Sequence, residues 1–108
     1  MQEEYQMDGS KMVYFMPEEI DHHQATQIQK TIDQLIDMYQ IRTLYFDFGG
    51  TRFMDSSGIG VLIGRSRKLG FLGGKVYAQN IGGRVERIFT ASGLYQMIDV
   101  VKEDGYEQ

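Results

Sequence analysis

The sequence predicts an α/β domain with a mixed, largely parallel sheet of about five strands, in the element order ββαβαβαβ. Three observations support this fold class: an early hairpin pattern, a clear amphipathic helix, and apolar strand patterns that alternate with helical ones after it. The chain has 108 residues, of which 42% are hydrophobic and 24% charged. That size and composition are typical of one folded domain, so we expect residues 1–108 to form a single unit.

The hairpin and the first helix are the clearest elements. Residues 3–7 and 11–16 have strand patterns on either side of a turn at residues 8–10. Asp21 is a typical N-cap residue, and a helix over about 22–40 follows it. Its apolar residues recur at three- and four-residue spacing: Ala25, Ile28, Ile32, Leu35, Ile36 and Tyr39.

The second half of the chain alternates strands with helices. Residues 42–48 form an aromatic-rich strand pattern, and Asp55 and the two serines after it have the composition of a helix start. The remaining predicted elements are a strand at 75–78, a helix around 85–89 closed by Gly93, and a final strand at 97–101. Parallel pairing with right-handed crossovers is the arrangement that such alternation favours.

Charge and composition exclude several classes of function. The formal net charge is −4, which gives no general attraction to nucleic acid or to anionic lipid, so we expect neither as a partner. Cysteine is absent, which excludes disulfides and thiolate metal sites. The acidic start, residues 1–4, has no apolar signal-peptide region, and no apolar run approaches the roughly 20 residues that span a bilayer. We therefore expect a cytoplasmic protein.

The segment from Asp55 to Gly64 carries the candidate chemistry. Ser56 and Ser57 are predicted at a helix N-terminus, where free backbone N–H groups and the helix dipole favour negative charge. A phosphate on a serine there would be tolerated by the fold. Gly58, Gly60 and Gly64 are anomalous within a helix, because each costs about 1 kcal/mol relative to alanine. Their presence predicts a close approach by another backbone, from the domain's own sheet or from a partner.

Two other interpretations of this segment remain open. Ser56 can be just an N-cap residue, with glycines that only pack, because aspartate and serine are the ordinary residues at a helix start. The spacing Gly58-x-Gly60-x-x-x-Gly64 also resembles a dinucleotide fingerprint, but it is one residue too long. The acidic residue expected about 20 positions later is replaced by Gln79 and Asn80, which disfavours that interpretation.

Three ordered blocks resemble the STAS-domain anti-sigma-factor antagonists. The blocks are residues 53–65 (FMDSSGIGVLIGR), residues 19–23 (EIDHH) and residues 85–95 (VERIFTASGLY). The similarity covers about residues 5–101 and is greatest to the sporulation members of the family. Gly82-Gly83 replaces a proline that the family has near the start of the third helix.

The resemblance implies a STAS fold and a regulatory role. A family member binds an anti-sigma factor that is also a serine kinase, and so releases a sigma factor. The kinase phosphorylates the serine directly after the aspartate, here Ser56, which ends binding, and a serine phosphatase reverses it. The chain is then a regulator and a kinase substrate, not an enzyme, and it needs no cofactor.

Other candidate residues surround this switch. Asp21, Asp55, Ser57 and Gly58 are the expected neighbours of Ser56. The candidates for partner contact are His22, His23, Ile59, Gly60, Arg84 and the basic strip of Arg65, Arg67 and Lys68. Helical spacing predicts that the three residues of the strip point away from the domain. Adjacent helical histidines do not share a face, so we expect no metal site at His22 and His23. The competing hypotheses are a small domain that binds a nucleotide or another anion, and a STAS scaffold or sensor that is never phosphorylated.

Overall fold

The computed structural model describes residues 3–101. Its strands are β1 (Tyr5–Asp8), β2 (Lys11–Phe15), β3 (Glu19–Ile20), β4 (Thr43–Asp47), β5 (Phe53–Met54), β6 (Lys75–Gln79) and β7 (Asp99–Val101). Its helices are α1 (His22–Tyr39), α2 (Ser56–Phe71) and α3 (Gly83–Ser92), and a single 3₁₀ turn follows at Leu94–Gln96.

The main sheet has five strands in the order β1-β2-β4-β6-β7. β1 and β2 form the predicted antiparallel hairpin, whereas β2, β4, β6 and β7 pair in parallel. This confirms the predicted fold class. The last strand is shorter than expected, because Met97 and Ile98 belong to the turn that precedes Asp99.

A second, two-stranded sheet was not predicted. β3 and β5 pair in parallel, with Glu19 opposite Phe53 and Ile20 opposite Met54. The predicted order ββαβαβαβ therefore omits two strands, one before α1 and one before α2. Two residues are too few to show the period-two alternation by which a strand is recognised in sequence.

The core lies between one face of the main sheet and the helices. Along the three central strands, buried and more exposed residues alternate, as expected when one face of a sheet is covered. Successive right-handed crossovers that move in one direction across the sheet place their helices on that same face. The fully buried side chains include Phe46, Phe89, Ile32, Leu62 and Leu69.

The helix ends follow the predicted chemistry. α1 occupies residues within the predicted range 22–40 and begins directly after Asp21. α3 ends before Gly93, which has φ 76° and donates its backbone N–H to the Phe89 carbonyl, as predicted for a glycine in the left-handed region. Within residues 3–101, no helix combines the length and the apolar character needed to cross a membrane.

Candidate functional site

The small β3–β5 sheet brings two helix N-termini together. Ile20 and Met54 are paired across it, and the Asp55 backbone N–H donates to the Ile20 carbonyl at 3.1 Å. Asp21 and Asp55 directly follow this pair, and neighbouring strands lie only about 4.8 Å apart. The structure thus places Asp21 beside the start of α2, as the alternating order of elements predicted.

Ser56 is the first residue of α2, and it is exposed. Asp55 caps the helix from extended backbone (φ −100°, ψ −173°), and its Oδ1 accepts a hydrogen bond from the Ser57 N–H at 2.8 Å. Ser57 is half-buried. The Ser56 hydroxyl is therefore accessible to another protein, and it lies where the helix dipole favours added negative charge.

The start of α1 repeats this backbone geometry without hydroxyl groups. Asp21 has φ −103° and ψ −173°, and its Oδ1 accepts from the Gln24 N–H at 2.9 Å. The next two residues, His22 and His23, are exposed. In the part of the chain that the structure describes, no three acidic or histidine side chains are grouped so that they could hold a metal ion.

The three glycines of α2 have different surroundings. A Cβ on Gly58 would lie 2.5 Å from Met54 Sδ and 3.4 Å from Ile20 Cγ2, so this glycine allows the helix to approach β3 and β5. The close contact is with side chains, whereas the sequence predicted a backbone. A Cβ on Gly60 or Gly64 would meet nothing within 4 Å, so close packing inside the described chain does not account for them. Gly60 is exposed and Ile59 is half-buried.

The predicted basic strip is only partly a surface feature. Arg65 is 7% exposed, and its Nε lies 2.9 Å from Asp33 Oδ1 across the α1–α2 contact. The expectation that Arg65 points away from the domain is therefore wrong. Burial lowers the pKa of the Arg65 guanidinium, and Asp33 partly opposes that shift. Its partner stands 32 positions earlier in the chain, so only helix packing reveals the pair.

The other two members of the strip are closer to the surface. Arg67 is exposed, and it makes no ion pair with any residue between 3 and 101. Lys68 is half-buried, with its Nζ 3.1 Å from Asp37 Oδ1 and 4.0 Å from Asp33 Oδ1. Of the three, Arg67 is the side chain most available to a partner.

Arg84 lies at the start of α3 and close to β5, the strand that leads to Ser56. It is exposed, and its guanidinium carbon is 5.5 Å from the centre of the Phe53 ring. Phe53 itself is 37% exposed and stands three residues before Ser56. Sequence reasoning did not single out Phe53, although strand alternation with the buried Met54 places it on the outer face.

A buried carboxylate, also missed, holds the loop that leads to β5. Asp47 is 9% exposed and accepts hydrogen bonds from the Gly49 N–H, Gln79 Nε2 and Asn80 Nδ2 at 2.8–2.9 Å. The sequence offered one signal for this network: Asp47 ends β4 and Gln79 ends β6. The carboxyl ends of neighbouring parallel strands meet at one edge of the sheet, so these side chains could have been expected to lie close together. The network anchors the start of the segment from Phe48 to Phe53.

Comparison with known proteins agrees with this architecture. The family model described as "STAS domain" matches residues 3–104. The anti-sigma F factor antagonist of Lysinibacillus sphaericus is 33% identical over 91 residues, which cover 83% of this chain and 78% of that protein.

Two solved structures share the fold and nearly a third of the sequence. The unphosphorylated form of the anti-sigma factor antagonist SpoIIAA aligns with a TM-score of 0.82 and 31% identity, over 93% of this chain and 88% of that one. The phosphorylated form of the Bacillus cell fate determinant SpoIIAA aligns with a TM-score of 0.73 and 30% identity, over 93% and 91%. The Lysinibacillus protein and SpoIIAA are anti-sigma factor antagonists, and this chain belongs to the same STAS-domain family.

Proposed function

We propose that this chain is an anti-sigma factor antagonist that is switched off by phosphorylation of Ser56. Without phosphate it binds an anti-sigma factor that is also a serine kinase, and it thereby releases a sigma factor. The kinase then transfers a phosphoryl group from ATP to the Ser56 hydroxyl, and a serine phosphatase restores the active form. The chain acts in the cytoplasm as regulator and substrate, not as a catalyst. Its sporulation-type relatives favour a sporulation sigma factor.

One observation carries the proposal: Ser56 is an exposed hydroxyl at the first position of a capped helix. Exposure makes it accessible to a kinase. The cap leaves it free, because Asp55 rather than Ser56 accepts the hydrogen bond from the first turn. Ser57 is half-buried, which makes it the poorer substrate of the two adjacent serines.

The local charges explain how one phosphate can act as a switch. Phosphorylation adds roughly −1.5 to −2 charges at neutral pH. Within the domain, Asp21 and Asp55 repel the phosphate, and the dipole of α2 stabilises it by about 0.3–1 kcal/mol, which offsets part of that repulsion. In a complex the same dianion is removed from water beside these carboxylates, and the desolvation of a charge alone costs several kcal/mol. The modification is therefore far more harmful to the complex than to the fold.

The exposed residues around Ser56 define the proposed partner surface. His22, His23 and Gly60 are exposed, and Ile59, which precedes Gly60 in the chain, is half-buried. The open space over Gly60 leaves room for a partner to approach the helix backbone there. Arg67 and Arg84 supply exposed positive charge, which suits an acidic kinase surface.

Incubation with the anti-sigma kinase and ATP, followed by intact-mass measurement and peptide mapping, tests the proposal. We expect one phosphate on the wild-type chain and on Ser57→Ala, its matched control. Ser56→Ala is expected to lose phosphate incorporation by at least about a hundredfold while it still binds the kinase, because position 56 does not cap the helix. Incorporation that persists in Ser56→Ala contradicts the site.

The same experiment separates the alternatives. Tight binding of a nucleotide by the chain alone, without transfer to Ser56, indicates a domain that binds an anion. If the chain neither binds the kinase nor accepts a phosphate, it is a scaffold or a sensor. Either result overturns the proposed switch.

A further inference from the structure

The positive charge of Arg84 is in an electrostatically unfavourable position on its own helix. It lies in the first turn of α3, where the positive end of the helix dipole disfavours a cation. No carboxylate between residues 3 and 101 forms an ion pair with it. Its guanidinium instead lies 5.5 Å from the centre of the Phe53 ring, within the range of a cation–π interaction.

The Phe53 ring brings this cation to the corner of the domain where Ser56 lies. Ser56 is three positions after Phe53, so their Cα atoms are at most about 11 Å apart. Because the Arg84 side chain is exposed, it can change rotamer without moving α3. Gly83, with φ 53°, occupies the left-handed region just before it and sets where α3 begins.

The other arginines between residues 52 and 87 either pair with a carboxylate or lie farther from Ser56. Arg52 lies 3.7 Å from Glu18, and Arg65 is buried against Asp33. Arg67 is 11 residues along α2 from Ser56, which corresponds to about 16 Å of helix. Arg87 follows Arg84 by nearly one turn of α3 and thus lies farther from its N-terminus.

We propose that Arg84 is the counter-ion of the phosphate on Ser56. This inference rests on the proposed function, since it concerns the phosphorylated state. Before phosphorylation the guanidinium rests on Phe53 and is available to the acidic partner. After phosphorylation it turns to the new dianion and donates two parallel hydrogen bonds to phosphate oxygens, which a planar guanidinium does better than an ammonium group. Phosphorylation thus repels the partner and also withdraws a positive charge from the docking surface.

The test is a ³¹P NMR titration of full-length protein in which phosphoserine is incorporated at position 56 during translation. The second pKa of a phosphoserine is ordinarily about 6, and a neighbouring cation lowers it. We expect Arg84→Gln to raise this pKa by about 0.5–1 unit relative to the wild-type phosphoprotein, an amount that reflects an exposed pair. Arg87→Gln, the matched control on the same helix, should leave it unchanged.

Other charged groups near Ser56 are common to all the proteins compared. Asp21, Asp55, Glu19, His22 and His23 are present in each of them, so the inference uses only the difference between variants. Arg84→Lys keeps the positive charge but lacks the planar guanidinium that donates two parallel hydrogen bonds, so the pKa of the phosphoserine should be intermediate. Added salt should reduce the difference between wild type and Arg84→Gln. Equal phosphoserine pKa values in the wild type, Arg84→Gln and Arg87→Gln overturn the role of Arg84.

The result does not depend on the kinase, because phosphoserine is introduced during translation. If the kinase fails to phosphorylate Ser56, the proposed function fails while the titration can still show the Arg84 pair. If the kinase does phosphorylate Ser56 but the titration shows no effect of Arg84, only the counter-ion inference fails.

Discussion

The N-termini of α1 and α2 share one backbone design and differ in their side chains. Each begins with an aspartate cap, with φ near −100° and ψ of −173°, directly after one of the two paired strands β3 and β5. The first two residues after the cap are histidines in α1 and serines in α2. The fold thus forms an anion-tolerant helix start twice, and only the start of α2 carries serine hydroxyls directly after its cap.

The third residue after each cap also differs. In α1 it is Gln24, which is exposed, whereas in α2 it is Gly58, which is buried against Met54 and Ile20. The start of α2 is therefore held closely against the small sheet. This contact holds the backbone at the start of α2 close to β3 and β5.

The largest expected effect on stability comes from filling the space at Gly58. Gly58→Ala and Gly60→Ala gain the same helix propensity, but only the first brings a methyl group against the buried Met54 side chain. Overpacking of this kind costs about 1–3 kcal/mol, so we expect Gly60→Ala to be more stable than Gly58→Ala by that amount. Urea unfolding measures both free energies. Equal stabilities would show that Gly58 is not needed for the close contact.

A smaller effect is expected from removing either cap. Asp21→Ala and Asp55→Ala should each lower the free energy of unfolding by about 1 kcal/mol, because each removes one hydrogen bond to a first-turn N–H. Asp21→Asn and Asp55→Asn are the matched controls, since asparagine caps nearly as well without the charge. Thermal or urea unfolding measures the four variants. If only one of the two alanine variants has a lower free energy of unfolding, the two helix starts are not equivalent.

Local rules were sufficient to predict the parts of the site that depend on neighbouring residues. The Asp21 cap, a helix start within residues 55–57 and the closing Gly93 follow from residue types within one helical turn. The alternative that Ser56 is the N-cap is wrong, because Asp55 caps α2 and Ser56 is its first residue. The order of strands and helices then placed Asp21 near α2. The roles of these residues in partner binding and phosphorylation stay predictions.

Features that depend on distant contacts were missed or misassigned. Arg65 had the pattern of a solvated basic face, but helix packing buries it against Asp33. Gly58, Gly60 and Gly64 look alike in sequence, although only Gly58 meets another part of the domain. The contact between Phe53 and Arg84 joins β5 to α3 across 31 positions, and no local period marks it.

The central claim is that phosphate on Ser56 spoils docking while leaving the domain intact. Calorimetric titration of the anti-sigma kinase with unmodified chain and with chain carrying phosphoserine 56 tests it directly, alongside thermal unfolding of both forms. We expect the phosphorylated chain to bind about a hundredfold more weakly, which corresponds to about 2.8 kcal/mol, with an unfolding temperature only slightly below that of the unmodified chain. Equal affinities of the two forms, or weak binding caused by unfolding of the phosphorylated domain, would contradict the account.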